Sequence, residues 1–393
     1  MQTLTKPPNS VWGFLVYDVK YYRSFMSGNK AKRVVVAMSG GVDSSVALAM
    51  LQEKGYDCVG VSMQLWDYSK KDDASGAGEG SCCTLDDIHD ARNVADRLGV
   101  PFYVVNVEEI FSKEVVDYFI NSYVAGETPN PCVKCNQILK FEALLKKAIG
   151  LDADYLATGH YARIIPDQTQ GFKLLKGVDE TKDQSYFLFT MTKDQLGRVL
   201  FPVGGLTKKE VRAYAGRLGL KTSDKKESQE ICFVQEPNYA EFLSAHVTAQ
   251  LGEIVDVEGR ALGRHRGLFH YTVGQRKGLG LSGGPYYVTG LDTKANRLMV
   301  GRQDDLFSGG LAAYDVNWIN SGAGARVEGG QAIDAVVKIR YRHDGAHALI
   351  KKSGQFLEIS FKTPQKAVTP GQAVVFYNGD EVLGGGWIER AIG

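Results

Sequence analysis

The first part of the chain repeats one hydrophobic pattern, in which a short apolar run is followed by apolar positions at helical spacing. The apolar runs, the first of which is rich in β-branched residues, predict buried strands, whereas the spaced positions predict amphipathic helices. The predicted strands cover residues 34–38, 59–65, 102–107 and 155–158. Two predicted helices begin at residues 44 and 84, and two others cover residues 108–124 and 137–149. These units predict an α/β domain with a parallel, Rossmann-like sheet that binds ligands at the carboxyl ends of its strands.

The pattern changes after residue 161. Residues 162–165 and 172–175 flank a turn and predict a hairpin, and a capping box at Thr207 and Glu210 begins a helix that ends at Gly219. From about residue 245, short apolar alternations between glycine turns predict small β domains, with a barrel as the favoured form. The predicted divisions are an extension (1–30), the α/β domain (31–240), a small β-rich central domain (241–308) and a C-terminal β-barrel (309–393).

The composition excludes several classes of protein function. The chain has 393 residues with 46 basic and 45 acidic side chains, and its net charge of +1 excludes a general coat for nucleic acid or anionic membrane. No segment has the length and apolarity of a membrane span, and the short apolar run at residues 11–17 lacks a cleavage site. The chain has six cysteines, and we expect no membrane partner and a cytoplasmic, reducing location, where paired cysteines more often serve metal or redox chemistry than structural disulfides.

A glycine turn with the letters SGGVDSS joins the first predicted strand to the first predicted helix. Glycine tolerates a tight turn, and the unpaired N–H groups at a helix N-terminus attract an anion. The turn lacks the Gly-Lys-Ser/Thr ending of a Walker loop and the GxGxxG pattern of a dinucleotide fold. It resembles the SGGxDS signature of the PP-loop ATP pyrophosphatases, which hold the β,γ-pyrophosphate of ATP. The resemblance implies ATP binding with Mg²⁺ near Asp43, and the alternative is an ordinary strand–helix turn.

Three cysteines carry the second candidate chemistry. Cys132 and Cys135 flank Lys134 just before the helix predicted at 137–149, and a helix N-terminus and an ammonium group both favour the thiolate form. Cys232, between Ile231 and Phe233, has by itself the pattern of a core cysteine. Beside an ATP-pyrophosphate site, however, several thiols indicate thiolation. ATP makes a carbonyl oxygen a leaving group, and a sulfur nucleophile replaces it.

Seven motifs occur in this order: SGGVDSS, Met63, TPNPCVKCN, TGHYAR, KDQSYFL, SQEICF and HYTVGQRKGLG. In this order and spacing they resemble the MnmA family of tRNA-specific 2-thiouridylases, from Lys32 to the C-terminus. The resemblance implies a PP-loop domain, a small central domain and a C-terminal β-barrel. It also implies conversion of the wobble uridine of Lys, Glu and Gln tRNAs to 2-thiouridine, AMP and pyrophosphate. ATP would drive the reaction, and a cysteine desulfurase or a sulfur-relay protein would supply persulfide sulfur.

The resemblance also implies roles for individual residues. Cys232 would carry the persulfide and Cys135 would attack it as the nucleophile, in one route leaving a disulfide between them. The residues that would hold ATP are Ala37, Met38, Ser39, Gly40, Gly41, Val42, Asp43, Ser44, Met63 and Gly159. Those that would touch tRNA are Asn130, Pro131, Cys132, His160, Lys182, Asp183, Gln184, Arg340, Tyr341 and Gln372.

Cys132 departs from part of the family, because some members have an aspartate there that is a candidate general acid or base. A thiol does the same work only if its acidity suits. The CxxC form leaves a second possibility open, in which Cys132, Cys135 and Cys232 ligate a 4Fe-4S cluster whose open fourth position carries sulfur. A structural zinc is disfavoured. Cys58 is predicted to lie in the core, and Cys82 and Cys83 are predicted loop thiols without an assigned role.

A basic and aromatic cluster in the predicted central domain gives independent support for RNA binding. Its members are Arg260, Arg264, His265, Arg266, Phe269, His270, Tyr271, Arg276 and Lys277. Such clusters grip phosphates and stack bases, although a solvated basic face has the same pattern. We expect tRNA binding to weaken steeply with salt.

Three other functions are compatible with parts of the sequence. A PP-loop amidoligase that uses ammonia would explain the ATP site but would leave the cysteines without a role. A thiolase acting on a different nucleotide would use both. A non-catalytic RNA-binding module would not need the intact Asp43 and Ser44.

Overall fold

The computed structural model describes residues 31–66, 84–220, 222, 231–234 and 239–393. The predictions for the extension 1–30, for Cys82 and for Cys83 lie outside the described residues. In the described ranges, no helix has the length and apolarity needed to cross a membrane.

Seven strands lie in the described part of the first 200 residues. They are β1 (Arg33–Ala37), β2 (Asp57–Gln64), β3 (Phe102–Asn106), β4 (Tyr155–Ala157), β5 (Ala162–Asp167), β6 (Gly171–Lys176) and β7 (Val199–Leu200). Strands β1 to β4 and β7 form a parallel sheet in the order β3-β2-β1-β4-β7. The chain reverses its direction of winding between β1 and β4, which is where ligands bind in such sheets. The four strands predicted from apolar runs are confirmed, and β7 is an additional strand of two residues.

Eight helices follow the chain order in the described ranges. They are α1 (Val42–Glu53), α2 (Leu85–Leu98), α3 (108–124), α4 (131–150), α5 (Lys193–Leu196), α6 (Lys208–Arg217), α7 (Tyr239–His246) and α8 (Ser321–Glu328). Helices α3 and α4 contain π-helical segments at Ser112–Val116 and Cys135–Leu144. The capping box between Thr207 and Glu210 is confirmed, and Gly219 follows α6 with a φ of +62°.

The β-rich remainder forms two sheets. Strands β8 (Gly252–Val255), β9 (Ala261–His265), β10 (Tyr287–Asp292) and β11 (Arg297–Gly301) form the central sheet in the order β10-β11-β8-β9. The others are β12 (Phe307–Trp318), β13 (Ile333–Lys338), β14 (Ala346–Ser353), β15 (Phe356–Lys366), β16 (Ala373–Asn378) and β17 (Glu381–Ile392). Pairing of β12 with both β15 and β17 closes these six strands into the predicted barrel.

The hairpin β5–β6 connects the first domain to the barrel. It is the predicted hairpin, but β6 pairs with β17 through Leu175 and Glu381, so the hairpin extends the barrel sheet. The apolar core also extends from the first domain into the barrel. One cluster contains Val35 and Met63 of the parallel sheet together with Tyr377 and Trp387 of the barrel. The two domains therefore share one hydrophobic core, which fixes the barrel against the end of the sheet.

Four buried or half-buried histidines have a pKa below the ordinary value, chiefly because burial disfavours the charged ring: His160, His265, His270 and His343. In acid the unfolded chain therefore takes up more protons than the folded chain. We expect the free energy of unfolding to fall as the pH drops from about 7 to about 5, by at most about 1.4 kcal/mol per pH unit for each histidine.

Urea titrations at several pH values test this expectation. His265→Gln should give a shallower slope with pH than the wild type, because it removes a buried imidazole whose pKa is lowered chiefly by burial. His347→Gln changes an exposed side chain and serves as the control. Equal slopes in the wild type and His265→Gln would contradict the account.

Candidate active site

The glycine turn lies between the end of β1 and the start of α1, as the sequence predicts. Gly40 has a φ of +69°, and Gly41 is the N-cap of α1 with no side chain to satisfy the first-turn N–H groups. The hydroxyls of Ser44 and Ser45 donate to the carbonyl oxygen of Gly41 at 3.2 and 2.8 Å. The backbone N–H of Ser39 donates to Oγ of Ser44 at 3.2 Å. The turn is therefore organised by its own hydroxyls and leaves the helix N-terminus available to an anion.

Two of the predicted ATP residues are glycines because neighbouring backbone approaches them closely. A Cβ on Gly40 would overlap the carbonyl group of Asp87 in α2. A Cβ on Gly159, which follows β4, would lie 2.6 Å from the backbone nitrogen of Ser44. The ends of β1 and β4 thus meet at the first turn of α1. Met63 lies near the end of β2 and is buried.

Asp43 has two partners that sequence reasoning missed. Its carboxylate accepts hydrogen bonds from the hydroxyl of Tyr161 at 2.7 Å and from Nζ of Lys208 at 2.8 Å to each oxygen. Tyr161 belongs to the TGHYAR motif, but no role was assigned to it. Lys208 is the first residue of α6 and lies 165 residues from Asp43 in the sequence. The capping box that begins α6 was visible in the sequence, but nothing there indicates that this lysine reaches the turn.

The cysteine helix begins earlier than predicted. Helix α4 starts at Pro131, so Cys132 and Cys135 lie within its first turns and not before it. The physical reason is local: the side chain of Asn130 accepts from the backbone N–H of Val133 at 3.4 Å, and proline is favoured at the first helical position. Cys132 is exposed, whereas Cys135 is half-buried at the start of the π-helical segment. Such segments often occur at functional sites.

Cys232 lies in a turn anchored by its neighbour. The ring of Phe233 packs edge-on against Phe119 and Phe111, with centroid separations of 5.1 and 5.8 Å. Cys232 and Cys135 both pack against the large apolar cluster that the first domain shares with the barrel. The four described cysteines are present as thiols. The fourth, Cys58, is a core residue as predicted, and burial raises the pKa of its thiol to about 11.

A metal centre finds little support in this arrangement. Within residues 31–66, 84–220, 222, 231–234 and 239–393, no three His, Cys, Asp or Glu side chains are grouped so that they could hold a metal ion. As placed, Cys132, Cys135 and Cys232 do not form such a group.

The barrel holds the loop before the cysteine helix. Nε2 of Gln372 donates to the carbonyl oxygens of Thr128 and Pro129 at 2.9 and 3.2 Å. The backbone N–H of Thr128 in turn donates to the carbonyl oxygen of Pro370 at 2.9 Å. Gln372, which was predicted to touch tRNA, thus supports the loop that leads to Asn130 and Pro131. Both of these residues are buried.

The other residues predicted to touch tRNA differ in their exposure to solvent. Arg340 is exposed and Lys182 half-exposed. The ring of Tyr341 lies 4.6 Å from that of Phe187. Asp183 is 6% exposed and accepts from the backbone N–H groups of Gly177 and Ser185, both at 3.0 Å. The buried side chain of Asp183 therefore stabilises the conformation of the segment 182–184.

His160 and Gln184 face the interior of the same region. Nδ1 of His160 lies 2.7 Å from the hydroxyl of Thr158, and Nε2 lies 3.5 Å from Nζ of Lys140. Burial, followed by the charge of Lys140, holds the pKa of His160 well below its usual range, so its ring is neutral. Oε1 of Gln184 accepts from the backbone N–H of Tyr161 at 3.0 Å.

The basic and aromatic cluster requires a correction. Phe269 and Tyr271 are 5% and 4% exposed, so they belong to the core and do not present a face for base stacking. His265 is also buried, and Arg260 is paired with Asp256 and Glu258. The exposed cations of the cluster are Arg260, which is held by the two carboxylates, and Arg264, Arg266, Arg276 and Lys277. The cluster therefore presents exposed cations, whereas the rings of Phe269 and Tyr271 are buried.

Comparisons with known proteins agree with this architecture. Residues 32–236 match a family model described as tRNA methyl transferase HUP domain. Residues 240–302 match a tRNA methyl transferase PRC-barrel domain, and residues 308–388 match an aminomethyltransferase beta-barrel domain.

Curated relatives match nearly the whole chain. A protein of Geotalea uraniireducens named tRNA-specific 2-thiouridylase MnmA is 53% identical over 371 residues, covering 93% of this chain and 97% of the relative. A protein of the same name from Geobacter metallireducens is 53% identical and covers 93% and 99%. One from Carboxydothermus hydrogenoformans is 48% identical and covers 92% and 98%. The chain belongs to the MnmA family of tRNA-specific 2-thiouridylases.

Proposed function

We propose that this protein is an ATP-dependent tRNA-uridine 2-sulfurtransferase that converts the wobble uridine of Lys, Glu and Gln tRNAs to 2-thiouridine. One observation carries the proposal. A single fold combines the anion-binding turn at Gly40–Asp43 with a thiol-bearing helix N-terminus and a distant thiol at Cys232 that packs against the same core. An amidoligase would need the turn and leave the thiols without a role.

ATP would bind at the turn with its pyrophosphate against the N-terminus of α1. The first-turn N–H groups and those of the turn would stabilise the negative charge on the leaving pyrophosphate. A carboxylate is a preferred ligand of Mg²⁺, so Asp43 would hold the ion that accompanies ATP. In this step O2 of the uridine forms a bond to the α-phosphorus, and the bond from that phosphorus to the bridging oxygen of pyrophosphate breaks.

Sulfur would arrive as a persulfide on Cys232. The thiolate of Cys135 would attack the inner sulfur of that persulfide, form a Cys135–Cys232 disulfide and release hydrosulfide. Hydrosulfide would attack C2 of the adenylated uridine and displace AMP, so that sulfur replaces oxygen. The disulfide must then be reduced by an external thiol before the next cycle. Cys132, whose side chain is exposed, would serve as the proton-transfer group for the uridine.

Partners and location follow from this chemistry. A cysteine desulfurase or a relay protein would load Cys232, and the reducing cytoplasm would keep the thiols available. Lys182, Arg340 and the exposed cations of the central sheet would contact tRNA phosphates, so the affinity for tRNA would fall steeply with salt.

Turnover under anaerobic conditions tests the proposal. The assay contains ATP, Mg²⁺, a desulfurase with cysteine and unmodified glutamate tRNA, and a mercury gel detects thiolated uridine. We expect thiolation by iron-free protein. Thiolation only after iron reconstitution would contradict the persulfide route and make the three cysteines cluster ligands. No thiolation in either form would contradict the proposed function and favour the amidoligase or binding-module alternatives.

The contact between the barrel and the cysteine helix gives a separate prediction. Gln372→Ala removes two part-buried hydrogen bonds to the loop before α4, and leaving a buried carbonyl group without a donor costs at most about 1–3 kcal/mol. We expect thiolation to slow by roughly tenfold or more while ATP binding is retained. Gln331→Ala, at an exposed position, is the control. A thiolation rate equal to that of the control would show that Gln372 does not position this loop.

A further inference from the structure

Lys208 supplies a positive charge to a turn whose own sequence has none. Its Nζ contacts both carboxylate oxygens of Asp43, and the residue is 8% exposed. The backbone N–H of Lys208 donates to Oδ2 of Asp179 at 2.9 Å, which fixes the start of α6. Nζ also lies 5.7 Å from the ring centre of Tyr161, whose hydroxyl donates to the same carboxylate. The ammonium group is thus held beside the anion-binding turn from two sides.

Burying the ammonium group of Lys208 costs free energy unless its charge makes a favourable interaction. Removing an ammonium group from water is unfavourable, and a buried ion pair is often no more stable than apolar residues of similar size. In Walker loops a lysine in the turn contacts the β- and γ-phosphates, and SGGVDSS has no such residue. Here the ammonium group reaches the turn from a helix far along the chain.

We propose that Lys208 binds the pyrophosphate portion of ATP and stabilises it as it leaves. The inference rests on the proposed function. Asp43 pairs with Lys208 in the structure. With ATP and Mg²⁺ bound, Asp43 would hold the metal ion and Nζ of Lys208 would bind a β- or γ-phosphate oxygen. One ion pair is exchanged for two, so no charge is left without a partner. Tyr161 keeps Asp43 in place during the exchange.

Two substitutions should change pyrophosphate binding in opposite directions. Lys208→Met removes the cation, so its affinity for inorganic pyrophosphate should fall about ten- to hundredfold, as expected for loss of a charge-assisted hydrogen bond. Asp43→Asn releases Lys208 from its carboxylate, so pyrophosphate without metal should bind more tightly than it does to the wild type. Lys208→Arg should recover part of the affinity. Lys209→Met, which alters the exposed neighbour on the same helix, is the matched control.

Isothermal titration of the full chain with inorganic pyrophosphate, with and without Mg²⁺, measures these affinities. Urea titrations of the same variants report stability separately. If the pair is only structural, both variants will lose stability and bind pyrophosphate as the wild type does, which would overturn the proposal. If Lys208→Met does not fold, Asp43→Asn decides the question, since unchanged metal-free binding in that variant also overturns it. A wild type that binds neither ATP nor pyrophosphate would instead overturn the ATP site itself.

Discussion

Replacing Gly40 by alanine is expected to remove ATP binding. Gly40 has a φ of +69°, a left-handed conformation that costs a residue with a Cβ roughly 1–2 kcal/mol. The added Cβ would also overlap the carbonyl group of Asp87, a backbone atom in α2 that cannot turn aside as a side chain can. The turn must therefore move away from α2, and its N–H groups lose the common direction that an anion needs.

We expect the affinity for ATP to fall by at least about a hundredfold, with thiolation lost in parallel. Gly216→Ala is the control, because Gly216 lies in helix α6 and a Cβ there would meet nothing within 4 Å. Alanine at that position should be neutral or slightly stabilising. ATP titrations and urea unfolding of both variants separate binding from stability. Normal ATP affinity in Gly40→Ala would show that this turn does not hold the nucleotide.

Cys135→Ala and Cys232→Ala should each lower thiolation by about a thousandfold or more, since each removes a sulfur atom that forms a bond in the proposed route. ATP binding should persist in both variants, because neither cysteine is part of the turn between β1 and α1. The double variant should be no slower than either single variant, since residues that act as one unit are not additive.

Cys58→Ala is the control for Cys135→Ala and Cys232→Ala. It removes a buried thiol in β2, so it should cost some stability while thiolation continues. Thiolated tRNA is measured on a mercury gel, and ATP affinity by titration. Normal thiolation by Cys232→Ala would exclude Cys232 as the sulfur carrier and would require another route.

Much of the fold was predictable because its signals are local. The strands β1 to β4 contain apolar runs, which are β-branched in β1 to β3, and the helices α2 and α6 begin with capping boxes that bind their own backbone. Strand β7 was missed because two residues carry no periodicity. The start of α4 was misplaced because Asn130 and Pro131, a cap and a first-turn residue, also occur in loops.

The site was predictable to the extent that its residues lie in one turn. The anion-binding turn follows from SGGVDSS, and the closeness of Gly159 follows from the order of parallel strands. The contact of Lys208 with Asp43 depends on the position of α6 in three dimensions, which no spacing in the sequence specifies. Likewise, the pattern that contains Phe269 and Tyr271 does not distinguish rings that face solvent from rings in the core.

The central claim is that persulfide sulfur passes through Cys232 and Cys135 to an ATP-activated uridine. A single turnover with protein carrying ³⁵S-labelled persulfide, ATP, Mg²⁺ and unmodified glutamate tRNA tests it most directly. We predict one labelled 2-thiouridine for each AMP formed, together with a Cys135–Cys232 disulfide detected by mass spectrometry of the quenched protein. Label in the tRNA with both cysteines still reduced, and only in protein reconstituted with iron, would contradict it.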